Sequence, residues 1–144
     1  AILKLLQKDA SLTNKEIAFQ LRKSIATVHE RVRRLNEKGV IKRVVAILDR
    51  KKINRKLMAF THVLLNDHTI DTLNQFEEEV IKFPEVRVCL QMSGSFDFIL
   101  RIATHDMDTY HEFYRNKLAA LPNINTVQSF FVLSEAKSDT AYPL

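Results

Sequence analysis

Glycine is nearly missing: only Gly39 and Gly94 occur in 144 residues. A glycine-rich phosphate loop or a dinucleotide fingerprint cannot be assembled from so few, which removes most nucleotide-dependent enzymes. Cysteine is reduced to Cys89. An internal disulfide framework and an all-cysteine zinc site are therefore excluded, and a cytoplasmic setting is the expectation. No apolar run approaches the roughly 18 residues of a membrane helix. Residues 1–8 lack the apolar stretch and cleavage site of a secretory signal. What is present is 46% hydrophobic and 27% charged, a folded globular composition. The length suits one ordinary domain or two small ones.

The net charge of +5 hides a segregation of sign. Residues 1–56 hold 16 Lys and Arg against 5 Asp and Glu, whereas residues 57–144 hold 6 against 12. Such a split points to a polyanionic partner for the first half. The reversal falls at Lys51-Lys52-Ile53-Asn54-Arg55-Lys56. The reading is a helix-turn-helix domain over 1–49, a linker over 50–56 and a second domain over 57–144.

Helical periods dominate the first half. Ile2, Leu3, Leu5 and Leu6 belong to an apolar helix, and Thr13-Asn14-Lys15-Glu16 has the spacing of a capping box. Arg22-Lys23 interrupts the helix that follows, and Ser24 caps another. There Ile25, Val28, Val32 and Leu35 recur at three and four residues, the stripe of a core-facing helix. Gly39 closes it in a left-handed end. Residues 40–48 read as an extended segment or short hairpin carrying Lys42-Arg43.

The second half alternates in type. Strands are expected at 57–66, 86–92, 96–102 and 124–133, with helices at 69–83 and from Asp106. Ser93-Gly94-Ser95 forms a hairpin turn. The order β-α-β-β-α-β is the ferredoxin-like arrangement, which puts both helices on one face of the sheet. Apolar residues occur in both phases of the strands: Cys89, Ile99, Val127 and Phe131 are out of step with Leu90, Leu100 and Phe130. A half-apolar bare face predicts a second copy as partner.

The candidate chemistry is recognition of DNA. With the core stripe turned inward, Ala26, Thr27, Glu30, Arg33 and Arg34 turn outward. Small residues at the amino end of a recognition helix let its backbone approach base edges in the major groove. Ser24, His29 and Arg31 flank that turn. The arginines are placed to reach phosphates or guanine edges. Glu30 either accepts from a cytosine amino group or pairs with Arg34 one turn on. Lys15, Arg22, Lys23, Lys42 and Arg43 add affinity without sequence choice. His29, His62, His68, His105 and His111 show no metal-binding spacing. Ser93-Gly94-Ser95 joins two strands and is no nucleophile elbow. No cofactor, metal or catalytic residue is expected. Gln91, Ser93, Gly94, Ser95 and Asp97 form one polar cluster with the means to hold an amino acid, joined by Thr126, Gln128 and Ser129; an ordinary polar turn is the alternative.

These residues carry a resemblance. The segments Leu12-Thr13-Asn14-Lys15-Glu16-Ile17-Ala18, Ser24 to Leu35 and Lys38-Gly39-Val40-Ile41 resemble the leucine-responsive regulatory protein/AsnC family of transcription factors. So do Leu48-Asp49, Ser93 to Leu100 and Phe131-Val132-Leu133. The resemblance spans essentially the whole chain. It implies an α+β protein with an N-terminal winged helix-turn-helix domain and a C-terminal βαββαβ ferredoxin-like domain. The latter would sense a ligand and dimerise through its sheet, with further assembly, often to octamers. It implies a sequence-specific DNA-binding regulator, not an enzyme, whose partners are a pseudo-palindromic operator in double-stranded DNA and an amino-acid effector. The effector would lie on Gly94, Ser95, Asp97, Thr126 and Gln128. Ser95 stands where the family usually has Asp, and Arg22-Lys23 replaces the usual glycine-containing turn. A small-molecule sensor without direct gene regulation is the competing reading.

Overall fold

The computed structural model describes Ala1–Leu144 and divides into two units, Ala1–Ile47 with Ala136–Leu144, and Leu48–Glu135. The domain limits expected at 49 and 57 differ from these in three ways, the first being that Leu48 and Asp49 lie in the second unit. The C-terminal tail belongs to the first unit, because Gln7 Nε2 donates to Tyr142 O at 3.1 Å and Gln7 Oε1 accepts from Tyr142 N–H at 2.7 Å. The basic stretch 50–56 is a folded turn of the second unit, pinned by Arg55 N–H on Arg50 O (2.8 Å) and by the Arg50 guanidinium on Arg55 O and Glu135.

The first unit contains α1 (Ile2–Lys8), α2 (Asn14–Leu21) and α3 (Ile25–Glu37). The capping box forms: Thr13 Oγ1 accepts from Glu16 N–H at 3.2 Å and Glu16 Oε2 accepts from Thr13 N–H at 2.7 Å. α2 ends where Arg22 takes left-handed angles, φ 53° and ψ 47°, so the turn closes without glycine. Ser24 then caps α3. Ile2, Ile17, Ala18 and Val28 form the buried centre, flanked by Leu5, Leu21, Val32 and Leu35. Ile25 departs from the expected stripe: as the first residue of α3 it lies outside this cluster and is 52% exposed. Gly39, at φ 72°, ends α3 as expected. Residues 42–49 form no strand within the chain, and Val44, Val45, Ile47 and Leu48 are exposed.

In the second unit β1 (Leu57–Leu65), α4 (Ile70–Val80), β2 (Val86–Gln91), β3 (Phe98–Thr104), α5 (Met107–Phe113) and β4 (Ile124–Phe131) follow in the expected order. The sheet runs β2-β3-β1-β4, antiparallel throughout. The helices cover one face. Ala59, Val63, Leu65, Phe98, Leu100 and Ile102 point into this core, where Phe76, Val80, Tyr110, Phe113 and Leu118 meet them.

The expected phase of β2 is corrected by a bulge. Val86 pairs with Ile102, but Val88 pairs with Arg101, so Arg87 is an extra residue and the strand changes face there. Cys89 consequently joins the covered core and Leu90 turns to the open face opposite Ile99. Val127 also packs against the core. Phe131, opposite buried Ala59, faces the same way, whereas Ile99 and Phe130 face away with Phe60 and His62. The bare face is thus partly apolar, with a different membership from the expected one. No helix is long and apolar enough to cross a membrane.

Candidate nucleic-acid interface and effector site

The first turn of α3 is built by its cap. Ser24 Oγ accepts from Thr27 N–H at 3.1 Å and lies 2.7 Å from Thr27 Oγ1. Ser24 and Thr27 therefore organise one turn, and Ala26 beside them is exposed. Asn14 Nδ2, in the first turn of α2, lies 3.3 Å from His29 Nδ1 and ties the two helices together across this surface. The short side chains of Ser24, Ala26 and Thr27, on a turn fixed by its own hydrogen bonds, permit close backbone approach.

Behind that turn the charges are paired. Arg33 reaches Glu30 through Nε (3.0 Å) and Nη2 (2.6 Å), Arg34 Nε reaches Glu30 at 3.1 Å, and Arg33 Nη1 also bonds Glu37. Hydrogen bonding from Arg33 first, then Arg34, holds the Glu30 carboxyl down to about 2. Of the two fates open to Glu30 in the sequence, the free protein adopts pairing, with both arginines. Arg31 has no acidic partner. With Arg34 and Lys38 it rims an apolar cleft of about 320 Å³ between α1 and α3, lined by Ile2, Leu21 and Leu35. Lys15, Arg22, Lys23, Lys42 and Arg43 are exposed.

At the other candidate site, Gly94 sits at the hairpin tip with φ 124° and open space around it, and Ser95 beside it is exposed. Asp97 is turned inward. Its Oδ2 accepts from Leu65 N–H at 2.8 Å and Oδ1 lies 2.9 Å from His68 Nδ1. Its backbone N–H donates to Val63 O at 2.9 Å. Thr126 and Gln128 are exposed on β4, opposite Leu64 and His62. The end of β1 thus has Asp97 on one side and Thr126 on the other, which draws the hairpin base and the start of β4 to one end of the sheet. Gln128 lies two residues further along.

Two features escaped the sequence reading. His68, one of the five histidines without metal-binding spacing, meets Asp97 across 29 residues, a contact that leaves no periodic signal. Ser129 does not join Thr126 and Gln128. It faces the helices and meets the hydroxyl of buried Tyr110, which bonds Thr61 Oγ1 at 2.8 Å.

Comparison with known proteins follows the same division. A winged helix-turn-helix DNA-binding family model matches residues 1–42, and the Lrp/AsnC ligand binding domain matches residues 58–142. Transcriptional regulator AzlB of Bacillus subtilis is 33% identical over 100% of this chain and 92% of its own length. The leucine-responsive regulatory protein of Escherichia coli is 33% identical over 94% of this chain and 83% of its own. Among solved structures, an AsnC family transcriptional regulator from Agrobacterium tumefaciens superposes with a TM-score of 0.92 at 35% identity, covering 99% of this chain and 92% of that one. A Neisseria meningitidis transcriptional regulator in complex with L-Met gives 0.93 at 30%, with the same coverages. A capped, cation-rich helix pair joined in one chain to a βαββαβ unit, with these relatives matched over nearly their whole length, shows that the chain belongs to the Lrp/AsnC family of DNA-binding transcriptional regulators.

Proposed function

We propose that α3 is the recognition helix, entering the major groove by its first turn. Ser24, Ala26 and Thr27 supply the close approach, while His29, Glu30, Arg31, Arg33 and Arg34 supply contacts to bases and phosphates. The observation that carries this reading is the capped first turn, where short Ser24 and Ala26 are exposed beside Thr27 and the flanks are cationic. Two such helices in a two-fold dimer would read half-sites about 34 Å apart, hence pseudo-palindromic operators. The second unit responds to an amino acid at the hairpin end of the sheet. Gly94 and Ser95 offer backbone amides, Thr126 and Gln128 offer polar side chains, and Asp97 holds the hairpin in place. The L-Met complex of the Neisseria relative supports this ligand class. Subunits pair through the open sheet face and associate further, to an octamer.

Anisotropy titration of a duplex between 50 and 200 mM salt tests the first part. Affinity falls by orders of magnitude across that range if several phosphates are contacted, and Arg33→Ala with Arg34→Ala flattens the slope by about two. Binding indifferent to salt overturns it. A thermal-shift screen of the twenty amino acids, with light scattering alongside, tests the second. Stabilisation by one of them, abolished by Thr126→Ala with Gln128→Ala, identifies ligand and site. Those exposed residues are better probes than Asp97, whose replacement also frees Leu65 N–H.

A further inference from the structure

Glu30 lies at the centre of the α3 face opposite buried Val28. At about 100° per residue, Ala26, Glu30, Arg33 and Glu37 share that face. The Glu30 carboxylate is occupied by this chain's own guanidinium groups. Arg33 grips both of its oxygens, at 3.0 and 2.6 Å, and Arg34 shares one of them at 3.1 Å. This forked geometry is the one a phosphate offers to arginine. In the free protein, two of the cations expected to hold DNA are already held.

We infer that Glu30 is a specificity-determining residue of the DNA-binding surface, an internal stand-in for phosphate that a duplex must displace from Arg33 and Arg34. The inference rests on the reading that α3 docks on DNA. Displacement costs something on every duplex. The carboxylate loses its donors and is left close to a polyanion. The penalty is relieved only where the duplex returns a donor, and in the major groove the cytosine N4 amino group does so without the adjacent N7 acceptor that flanks the adenine N6 amino group and repels a carboxylate. Without Glu30, the phosphate contacts of Arg33 and Arg34 would form on any duplex equally, because such contacts carry no sequence information. Arg31, which has no acidic partner, supplies affinity without this filter.

The near-isosteric variant Glu30→Gln tests this in the full-length protein, with Glu37→Gln as a control on the same face. Anisotropy is read on a random-sequence duplex from 50 to 200 mM salt, and on duplexes enriched by the native protein from a random library. The expected result for Glu30→Gln is roughly tenfold tighter binding to the random duplex and a salt slope steeper by about one to two. The ratio of enriched to random affinity narrows, and sequences enriched by the variant lose a C·G preference. Glu37→Gln, which releases one contact of Arg33 and none of Arg34, moves the affinity less. If the amide disturbs α3 by circular dichroism, Glu30→Ala gives the same reading. Native affinity and slope in a folded Glu30 variant overturn the inference. If Arg33→Ala with Arg34→Ala also leaves DNA affinity unchanged, the docking of α3 itself has failed. If that double variant loses affinity while Glu30→Gln behaves as native, only the role of Glu30 has failed.

Discussion

Arg22 shows what one residue does when the usual one is missing. Its left-handed angles (φ 53°, ψ 47°) let its N–H reach Ala18 O and Phe19 O and let Lys23 N–H reach Ala18 O at 3.0 Å. A side chain in that region costs about 1–2 kcal/mol relative to right-handed backbone, and glycine escapes most of it. Glycine also adds freedom to the unfolded chain, which offsets part of the gain. Arg22→Gly is therefore expected to stabilise the protein by about 0.5–1 kcal/mol, seen as a higher urea midpoint with an unchanged slope. A lower midpoint would mean that the Arg22 side chain stabilises the turn more than its backbone strains it. Cys89 illustrates the opposite limit, where the surroundings silence a reactive group. Burial in the covered core, with Glu77 nearby, pushes its thiol up to about 11 and leaves it protonated near neutrality.

At the scale of elements, α5 depends on the residue that caps it. Asp106 Oδ1 accepts from the Thr109 N–H and the Thr109 hydroxyl, at 2.8 Å each, and the backbone hydrogen bond is the larger cause of its lowered pKa. A carboxyl lowered by folding adds stability above its ordinary value of 3.8, and that stability is lost as pH falls through the lowered value. Asp106→Asn keeps an acceptor for the Thr109 N–H but removes the titration. Its stability near neutrality should stay close to native, whereas the decline below pH 3.8 should become shallower in urea titrations at stepped pH. An unchanged acid limb would mean that this cap does not contribute to it. Elements were legible in the sequence wherever one rule governed a whole segment. The capping box, the Ser24 cap and the six-element order of the second unit all follow from local spacing. Legibility stopped where a single residue shifts the period. The bulge at Arg87 exchanges the faces of Cys89 and Leu90, because alternation carries no marker for an inserted residue. After α5 the helix widens into a π turn over Tyr114–Leu118. Phe113 and Leu118 both reach the core from it, though five residues apart they would diverge on a regular helix. The candidate effector site was half legible. Gly94 follows from the need for a positive φ, but the inward turn of Asp97 onto Leu65 and His68 is decided by tertiary contact alone.

For the whole molecule, what matters is the sheet face the helices leave bare. Phe60, Leu90 and Phe130 are 38%, 51% and 45% exposed there, and His62 lies between Phe96 and Phe130 with ring centroids 5.0 and 4.9 Å away. Apolar and aromatic surface of this kind on an antiparallel sheet is stabilised by burial against a second sheet. A charge placed on this face should block association while sparing the fold, since Phe130 contributes cross-strand contacts with Phe60 and His62, each worth about 0.2–1 kcal/mol. Phe130→Glu is therefore expected to elute as a monomer by light scattering, with a far-UV spectrum like the native one. The same variant links assembly to DNA. The cations of residues 1–56 are doubled in a dimer, and the slope of log affinity against log salt counts the phosphates they neutralise. A monomer carrying one recognition helix should show about half the native slope and lose most of its preference for a two-half-site duplex over a single half-site. A monomeric Phe130→Glu that kept the full slope would show that one chain already makes all the contacts. A variant still associated at native size would show that subunits meet through some other surface.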